Sequence, residues 1–275
     1  MRYVEVIGDP IAQSKSPAIH KYWLDRLNLT GDYRRTLVPA HALARFLTSR
    51  RSDADWLGCN VTIPHKESAA KLVDEVDERA QAIGAINCIL PGGGLLRGTN
   101  TDVDGIAAAF DGTALKAKKA VIIGGGGAAR AAIFYLASRG AEIWVLVRNG
   151  AKAEPLRKLA PVEIAQLETA PTSIGGAVAI INASPLGMAG CPDMPPFLID
   201  AIAAHGASAT LLDMVYDPLE TDFLAAGREA GACIVDGLTM LIGQAARAFE
   251  LFFGAEPPPA DERLRELLVG NHSPV

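Results

Sequence analysis

The chain has 275 residues, 49% of them hydrophobic and 21% charged, and its 26 basic and 31 acidic side chains leave a formal charge of -5. That length accommodates about two domains of roughly 150 residues each, and the composition is far from that of a disordered chain. The basic residues form no stripe of the kind that marks a nucleic-acid or membrane surface, and no run approaches the ~18 apolar residues of a membrane helix. Small-molecule chemistry is what remains.

The N-terminus reaches the strand-like Tyr3-Val4-Glu5-Val6-Ile7 and breaks at Gly8-Asp9-Pro10, which leaves no room for the apolar stretch of a signal peptide. A cytoplasmic location is therefore expected. Cys59, Cys88, Cys191 and Cys233 are scattered without a CxxC pair or a histidine at ligand spacing, so buried, reduced thiols and no metal site are expected.

Short apolar runs alternate with longer helical patterns from end to end, the pattern of βα units and parallel sheets. In the first hundred residues strands are read at 3–7, 33–38, 58–61, 86–90 and 95–99, the last two joined by the turn-rich Pro91-Gly92-Gly93-Gly94 as a hairpin. Helices are expected to begin near Pro17, Ala40, His65 and Glu75. Ser16-Pro17 reads as a helix N-cap followed by proline at the first helical position. A further helix is expected from Asp102 to Phe110, and the domain boundary is placed there.

The second half opens with Ala120-Val121-Ile122-Ile123, followed at once by four glycines, Gly124 to Gly127, and a helix from Ala128 to Ser138. Buried strands are read at 143–147, 178–181, 210–212 and 233–235. A long apolar helix, Thr239 to Phe253, ends before Pro257-Pro258-Pro259, and a short amphipathic helix is read at Asp261 to Leu268.

Gly124-x-Gly126-x-x-Ala129 lies between a buried strand and a helix, the setting in which such a pattern holds a dinucleotide. The first glycine allows a tight turn, the second lets the backbone approach a pyrophosphate, and the small third residue lets helix and strand pack closely. The helix N-terminus then offers unpaired N–H groups and the positive end of its dipole. An ordinary glycine-rich turn without ligand has the same pattern. The next strand ends in Val147-Arg148-Asn149 rather than in the acid that bonds the ribose hydroxyls of NAD. An arginine there pairs with a 2′-phosphate and favours NADP, or it is simply a solvated strand-end residue.

Other polar residues carry two readings each. The hydroxyls of Ser14-Lys15-Ser16 stand where helix caps occur. The segment from Asn60 to Lys66 puts an amide, a hydroxyl and an ammonium at the carboxyl end of a strand, where α/β folds gather ligands, although a polar turn opening a helix looks the same. Asp102 follows Thr99-Asn100-Thr101 and either caps a helix or does chemistry. Asn87 interrupts an apolar strand, and Gln244 an apolar helix stripe; each amide needs a partner, from the protein or from a ligand.

Taken in order, Ser14-Lys15-Ser16, Asn60 to Lys66, Gly84-Ala85-Ile86-Asn87, Asn100-Thr101-Asp102, the Gly124 to Arg130 loop, Asn182 to Met188, Asp213 to Pro218 and Gly237 to Gln244 resemble the signatures of the shikimate dehydrogenase family, over roughly residues 3 to 254. The resemblance implies a substrate-binding α/β domain at 1–102, completed by the C-terminal helices from about 239 to 275, a Rossmann-like NADP(H) domain at 103–238, and an active site in the cleft between them. It implies reduction of 3-dehydroshikimate to shikimate in chorismate biosynthesis. Lys66 and Asp102 are then the catalytic pair; Ser14 and Ser16 bind the substrate carboxylate; Thr62, Asn87 and Gln244 bind ring hydroxyls, with Tyr216 nearby. Gly124, Gly126, Gly127, Ala128 and Arg148 hold the dinucleotide, and Met214 and Gly237 flank the nicotinamide.

The residue types suit that chemistry. Hydride delivery to a carbonyl carbon leaves an alkoxide, which a cationic proton donor such as Lys66 can both protonate and stabilise, with Asp102 to orient it; the sequence leaves open which of the two acts as acid or base in each direction. Two departures stand out: Cys88 occupies a position where the family usually has threonine, and Val147-Arg148-Asn149 replaces an Asn-Arg-Thr run. A quinate or dual quinate/shikimate dehydrogenase using NAD is the nearest alternative, against which Ser16 and Arg148 both argue. A non-catalytic shikimate-sensing regulator and a folate-linked dehydrogenase are further ones. Monomer and homodimer are equally compatible with the sequence.

Overall fold

The computed structural model describes residues 1–270 and divides into two compact units, Met1–Asp102 together with the chain from Ile242 onward, and Val103–Leu241. Each is built on its own six-stranded sheet.

The first unit contains β1 (Tyr3–Gly8), β2 (Asp32–Leu37), β3 (Trp56–Val61), β4 (Glu75–Val76), β5 (Cys88–Gly92) and β6 (Leu95–Thr99), ordered β2-β1-β3-β5-β6-β4. β1 pairs in parallel with both β2 and β3, whereas β3, β5 and β6 run antiparallel in turn. The β5–β6 hairpin turns at Gly93 and Gly94, both at positive φ (62° and 81°), the conformation a two-residue hairpin loop demands. Val4 and Val6 of β1 pack with Tyr33, Cys88, Ala248 and Phe252 on one side; Tyr3 and Ile7 pack with Leu43, Leu47, Trp56 and Ile89 on the other. Both faces are thus covered, one of them by the C-terminal helix Gly237–Phe253.

The second unit holds β7 (Lys119–Ile123), β8 (Glu142–Val147), β9 (Val162–Gln166), β10 (Ala177–Asn182), β11 (Thr210–Asp213) and β12 (Cys233–Val235). Every pairing is parallel and the order is β12-β11-β10-β7-β8-β9. Numbered within the unit this is 6-5-4-1-2-3, the doubly wound order whose chain reversal beside the first strand opens a crevice for dinucleotides.

Several local expectations need correction. Ser16 is not the cap of the first helix: that helix is Ser16–Arg26, Lys15 holds the cap position, and Pro17 is the second helical residue. The Ser14 hydroxyl, not that of Ser16, accepts a backbone N–H there, from Ser16 at 3.4 Å. No helix begins at Glu75, because Glu75 and Val76 form β4; the helix starts at Glu78, where the Asp77 carboxylate accepts the Ala80 N–H at 2.7 Å. β9 has no counterpart among the expected strands. Of the four cysteines only Cys59 and Cys88 are buried; Cys191 is half-buried and Cys233, on the edge strand β12, is exposed. None of the four is paired in a disulfide. Among the described residues no cluster of ligands fit for a metal occurs, and no helix is long and apolar enough to cross a membrane.

Candidate active site

In the first unit, β3 delivers its chain to a turn at Thr62, whose N–H donates to Ile7 O at 2.9 Å, and the chain then enters the one-turn helix Lys66–Ala69. His65 anchors this turn: it is 1% exposed and its Nε2 lies 2.6 Å from Val38 O. The Lys66 carbonyl accepts the Ile86 N–H at 2.9 Å, so the backbone under the lysine is fixed on both sides.

The ammonium that results meets a carboxylate. Lys66 Nζ donates to Asp102 Oδ2 at 2.6 Å, with the lysine side chain 15% exposed and the aspartate 4%. Asp102 opens the helix Asp102–Ala109, and its N–H donates to the Asn100 side chain at 3.0 Å, while Asn100 in turn donates to Ala85 O at 2.9 Å. Asp102 is the first residue of this helix, not its cap: its carboxylate accepts from Lys66 and Asn87, and the Asn100 side chain accepts its N–H.

Asn87 organises the rest. Its Nδ2 is within hydrogen-bond reach of Thr101 Oγ1 (2.9 Å), Asp102 Oδ1 (3.0 Å) and Gln244 Oε1 (3.2 Å), and its Oδ1 accepts from Thr101 N at 2.7 Å. Lys66, Asn87, Asp102 and Gln244, dispersed over 179 positions of sequence, are thus joined in one hydrogen-bonded group. A buried polar group of this density is tolerated when its members satisfy one another. Ser14 and Ser16 are both buried at the start of the Ser16–Arg26 helix. The loop they share is tied down twice: Arg35 Nε donates to Ser14 O at 2.8 Å, and Lys15 Nζ donates to Leu268 O at 2.5 Å.

In the second unit, the Gly124 to Gly127 turn follows β7 and opens the helix Gly127–Ser138. Gly124 has φ +110°, and a Cβ there would come within 2.9 Å of Ala183 O and 3.0 Å of Ser184 N. A Cβ at Gly126 would meet nothing within 4 Å, so the backbone at the helix start faces open space, while Ala129 is fully buried against the sheet. Tight first position, open second and packed third are the three demands of a pyrophosphate-binding turn. Ala128 is half-buried in the first turn of this helix, and Arg148 is exposed at the end of β8, beside Asn149, whose side chain caps Lys152 N at 3.1 Å.

Met214, Tyr216 and Gly237 stand past the carboxyl ends of β11 and β12. Gly237 has no space for a side chain: a Cβ would lie 2.3 Å from Val215 O and 3.0 Å from Asp213 O. Beneath this segment Asp213 is fully buried and accepts from Val215 N (2.9 Å), Asn182 Nδ2 (2.9 Å) and Thr221 Oγ1 (2.6 Å). Burial pushes its carboxyl up to about 6 despite those donors.

Sequence reading misses Thr101 and Tyr33 as members of the polar group in the first unit, and Asn182 with Asp213 as the support of the second. Thr101, Asn182 and Asp213 lie inside motifs that carry the family resemblance, so motif membership was the available signal. Tyr33 had none.

A doubly wound unit with a pyrophosphate-shaped turn, joined in one chain to a mixed-sheet unit carrying a partly buried ammonium–carboxylate pair, defines a two-domain dinucleotide-dependent oxidoreductase. The family model for the shikimate dehydrogenase substrate binding domain matches residues 6–89, and the one for the shikimate 5′-dehydrogenase C-terminal domain matches residues 237–262. A shikimate dehydrogenase (NADP(+)) of Sphingopyxis alaskensis is 46% identical over 277 residues, 97% of each chain. The crystal structure of the shikimate 5-dehydrogenase of Thermus thermophilus in complex with NADP(H) and shikimate is 33% identical, with a TM-score of 0.83 over 98% of each chain. The ligand-free 5-ketofructose reductase of a Gluconobacter strain has a TM-score of 0.82 at 28% identity, again over 98% of each chain. The chain belongs to the shikimate dehydrogenase family.

Proposed function

We propose that the protein is an NADP-dependent shikimate dehydrogenase, catalysing the reversible reduction of 3-dehydroshikimate to shikimate. The observation that carries this reading is the Lys66–Asp102 pair at 2.6 Å, its carboxylate buried and its ammonium partly so, joined through Asn87 to Gln244. The fold alone does not select the substrate, since a ketofructose reductase shares it.

NADPH, when bound, supplies the hydride that reduces the ketone. The residues suited to holding it are Gly124, Gly126, Gly127 and Ala128 at the pyrophosphate, Arg148 at the 2′-phosphate, and Met214 and Gly237 at the nicotinamide. The open backbone at Gly126 and the exposed guanidinium of Arg148 fit that group.

Toward the substrate, Ser14 and Ser16 present hydroxyls to the carboxylate. Thr62, Asn87 and Gln244 hydrogen-bond the ring hydroxyls, and Tyr216 is the remaining substrate contact. Lys66 donates its proton to the oxygen that becomes an alkoxide, and its charge stabilises that oxygen as it forms. Asp102 holds Lys66 in place, and in the return direction the pair takes the hydroxyl proton back. This division of labour makes the first unit the substrate domain and the second the cofactor domain. We place the enzyme in the cytoplasm, in chorismate biosynthesis, acting as a monomer or homodimer.

The test is turnover by the purified protein with shikimate or quinate, each with NADP or NAD. Preference for shikimate with NADP supports the reading; preference for quinate with NAD replaces it; binding of shikimate without turnover marks a sensing protein.

A further inference from the structure

The helix Glu262–Gly270 packs along the first helix, Ser16–Arg26, and two hydrogen bonds tie the pair together, one at each end of the later helix. At its start the Asp261 carboxylate accepts the Leu264 N–H at 2.9 Å and the Tyr22 hydroxyl at 2.7 Å. At its end Leu268 O accepts from Lys15 Nζ at 2.5 Å. The ties run in opposite order along the two segments, so the helices are antiparallel. Lys15 and Tyr22 are seven positions apart, as are Asp261 and Leu268. At 1.5 Å per residue each of these spans is about 10 Å, two helical turns, and both ties fit one register. Leu264 and Leu268, four positions apart and so on one face of their helix, are fully buried.

Lys15 stands between Ser14 and Ser16, the two hydroxyls assigned above to the substrate carboxylate. A lysine in that place looks like a further contact for the same anion, yet its ammonium is bonded to the end of the later helix. Leu268 lies in the last turn of that helix, where carbonyls have no N–H of their own helix to bond and carry the negative end of its dipole. A lysine ammonium is a favoured partner for such a carbonyl. From β2, Arg35 Nε donates to Ser14 O at 2.8 Å. The loop that carries both serines is thus fastened to a strand through Ser14 and to the later helix through Lys15.

We propose that Lys15 and the helix Glu262–Gly270 position the carboxylate-binding loop: the helix, docked on Ser16–Arg26 by its two buried leucines and by Asp261, is the abutment to which Lys15 fastens Ser14 and Ser16. The inference rests on the role given above to those two serines. Lys15 acts through them and leaves the carboxylate to their hydroxyls. Docking of the helix and binding of the substrate are then linked, and each favours the other by the same factor.

The test uses the full-length chain, with steady-state kinetics on shikimate and NADP and hydrogen exchange over residues 262–270. Lys15→Met keeps an apolar stem and removes the ammonium. It is expected to raise the KM for shikimate by about 3- to 10-fold, the scale of one lost hydrogen bond, with kcat and the KM for NADP nearly unchanged. Undocking the helix with Leu264→Ala and Leu268→Ala together is expected to raise the same KM by a similar factor. Adding Lys15→Met to that pair is expected to cost less than about twofold more, because the abutment is already lost. Saturating shikimate is expected to slow exchange in 262–270 by about 3- to 10-fold in the wild type, by reciprocity, and to leave it unchanged in Lys15→Met.

A lysine that meets the carboxylate directly gives another pattern: the leucine pair keeps the wild-type KM for shikimate, or Lys15→Met adds its full effect to it. A role in stability alone raises the KM values for shikimate and NADP together. Each of these results overturns the proposal, as does a wild-type KM in Lys15→Met or exchange in 262–270 that shikimate does not alter in the wild type. If the leucine pair does not fold, the exchange comparison between wild type and Lys15→Met decides alone. A wild-type protein inactive on shikimate sinks the functional reading and this inference together, whereas an active wild type with any of the contrary patterns sinks only the inference.

Discussion

Lys66 and Asp102, 36 positions apart in sequence, form a hydrogen-bonded ion pair of 2.6 Å in which the carboxylate is almost wholly buried and the ammonium partly so. Burying two charges is costly unless their remaining hydrogen-bonding capacity is also used. Here the second carboxylate oxygen accepts from Asn87 and the Asp102 N–H is taken by Asn100. The ammonium retains two further N–H groups for a ligand.

Removing either partner should separate chemistry from folding. Lys66→Ala is expected to lower kcat by about 10²–10⁴-fold, the usual contribution of a positioned proton donor, with shikimate still bound as measured by calorimetry. Asp102→Asn, which keeps the shape and the Asn87 contact, is expected to lower kcat as well. Unchanged turnover in Lys66→Ala removes the lysine from the mechanism.

Gly237 offers a steric test in the second unit. A methyl group there would sit 2.3 Å from Val215 O, a backbone atom that cannot swing aside, so Gly237→Ala must displace the segment carrying Met214. The expected cost is about 1–3 kcal/mol of stability, as for other overpacked sites, with a raised KM for NADP and little change in the KM for shikimate. Equal effects on both constants would argue against a cofactor role for this segment.

Acid should open the two units in a definite order. Burial depresses His20 from 6.5 to about 3, so below pH 6.5 the unfolded chain takes up a proton that the folded one refuses. The stability His20 contributes above pH 6.5 is therefore lost as pH falls toward 3, by about 1.4 kcal/mol per pH unit. Asp213 has the opposite sign: raised from 3.8 to about 6, its contribution is complete below pH 3.8 and is lost as pH rises through 6. Between about pH 6 and 4 the first unit weakens while this group strengthens the second. Hydrogen exchange at about pH 4.5 against pH 7 is expected to show protection lost first in β1 and β3 and retained longer in β7 and β10. Asp213→Asn should flatten the acid-side gain of the second unit; the reverse order of opening would contradict the assignment.

Much of this architecture was legible because its signals are local. The Gly124 to Gly127 turn, the β5–β6 hairpin and the helix beginning at Asp102 each announce themselves within a few residues, through backbone demands that few residue types meet. β9 escaped because Val-Glu-Ile-Ala-Gln lies at a sheet edge with most of its residues partly or fully exposed, so no apolar run marks it. The Ser16 cap was misplaced by one residue because serine followed by proline fits either register, and Ser14 supplies the hydroxyl contact instead. Tyr33 could not be read at all: it sits in the polar segment Asp32–Leu37, and its partner Asn60 is 27 positions away. Motifs gather residues that are close in sequence; a contact such as Tyr33–Asn60 becomes visible only once the sheet has brought the strands together.

The most direct measurement is the initial rate of the purified protein with shikimate and NADP, compared with quinate and NAD in all four combinations. Shikimate with NADP is expected to give the highest kcat/KM, and Lys66→Ala is expected to abolish nearly all of it. A higher kcat/KM for quinate with NAD, or no turnover with any combination, would contradict the proposed activity.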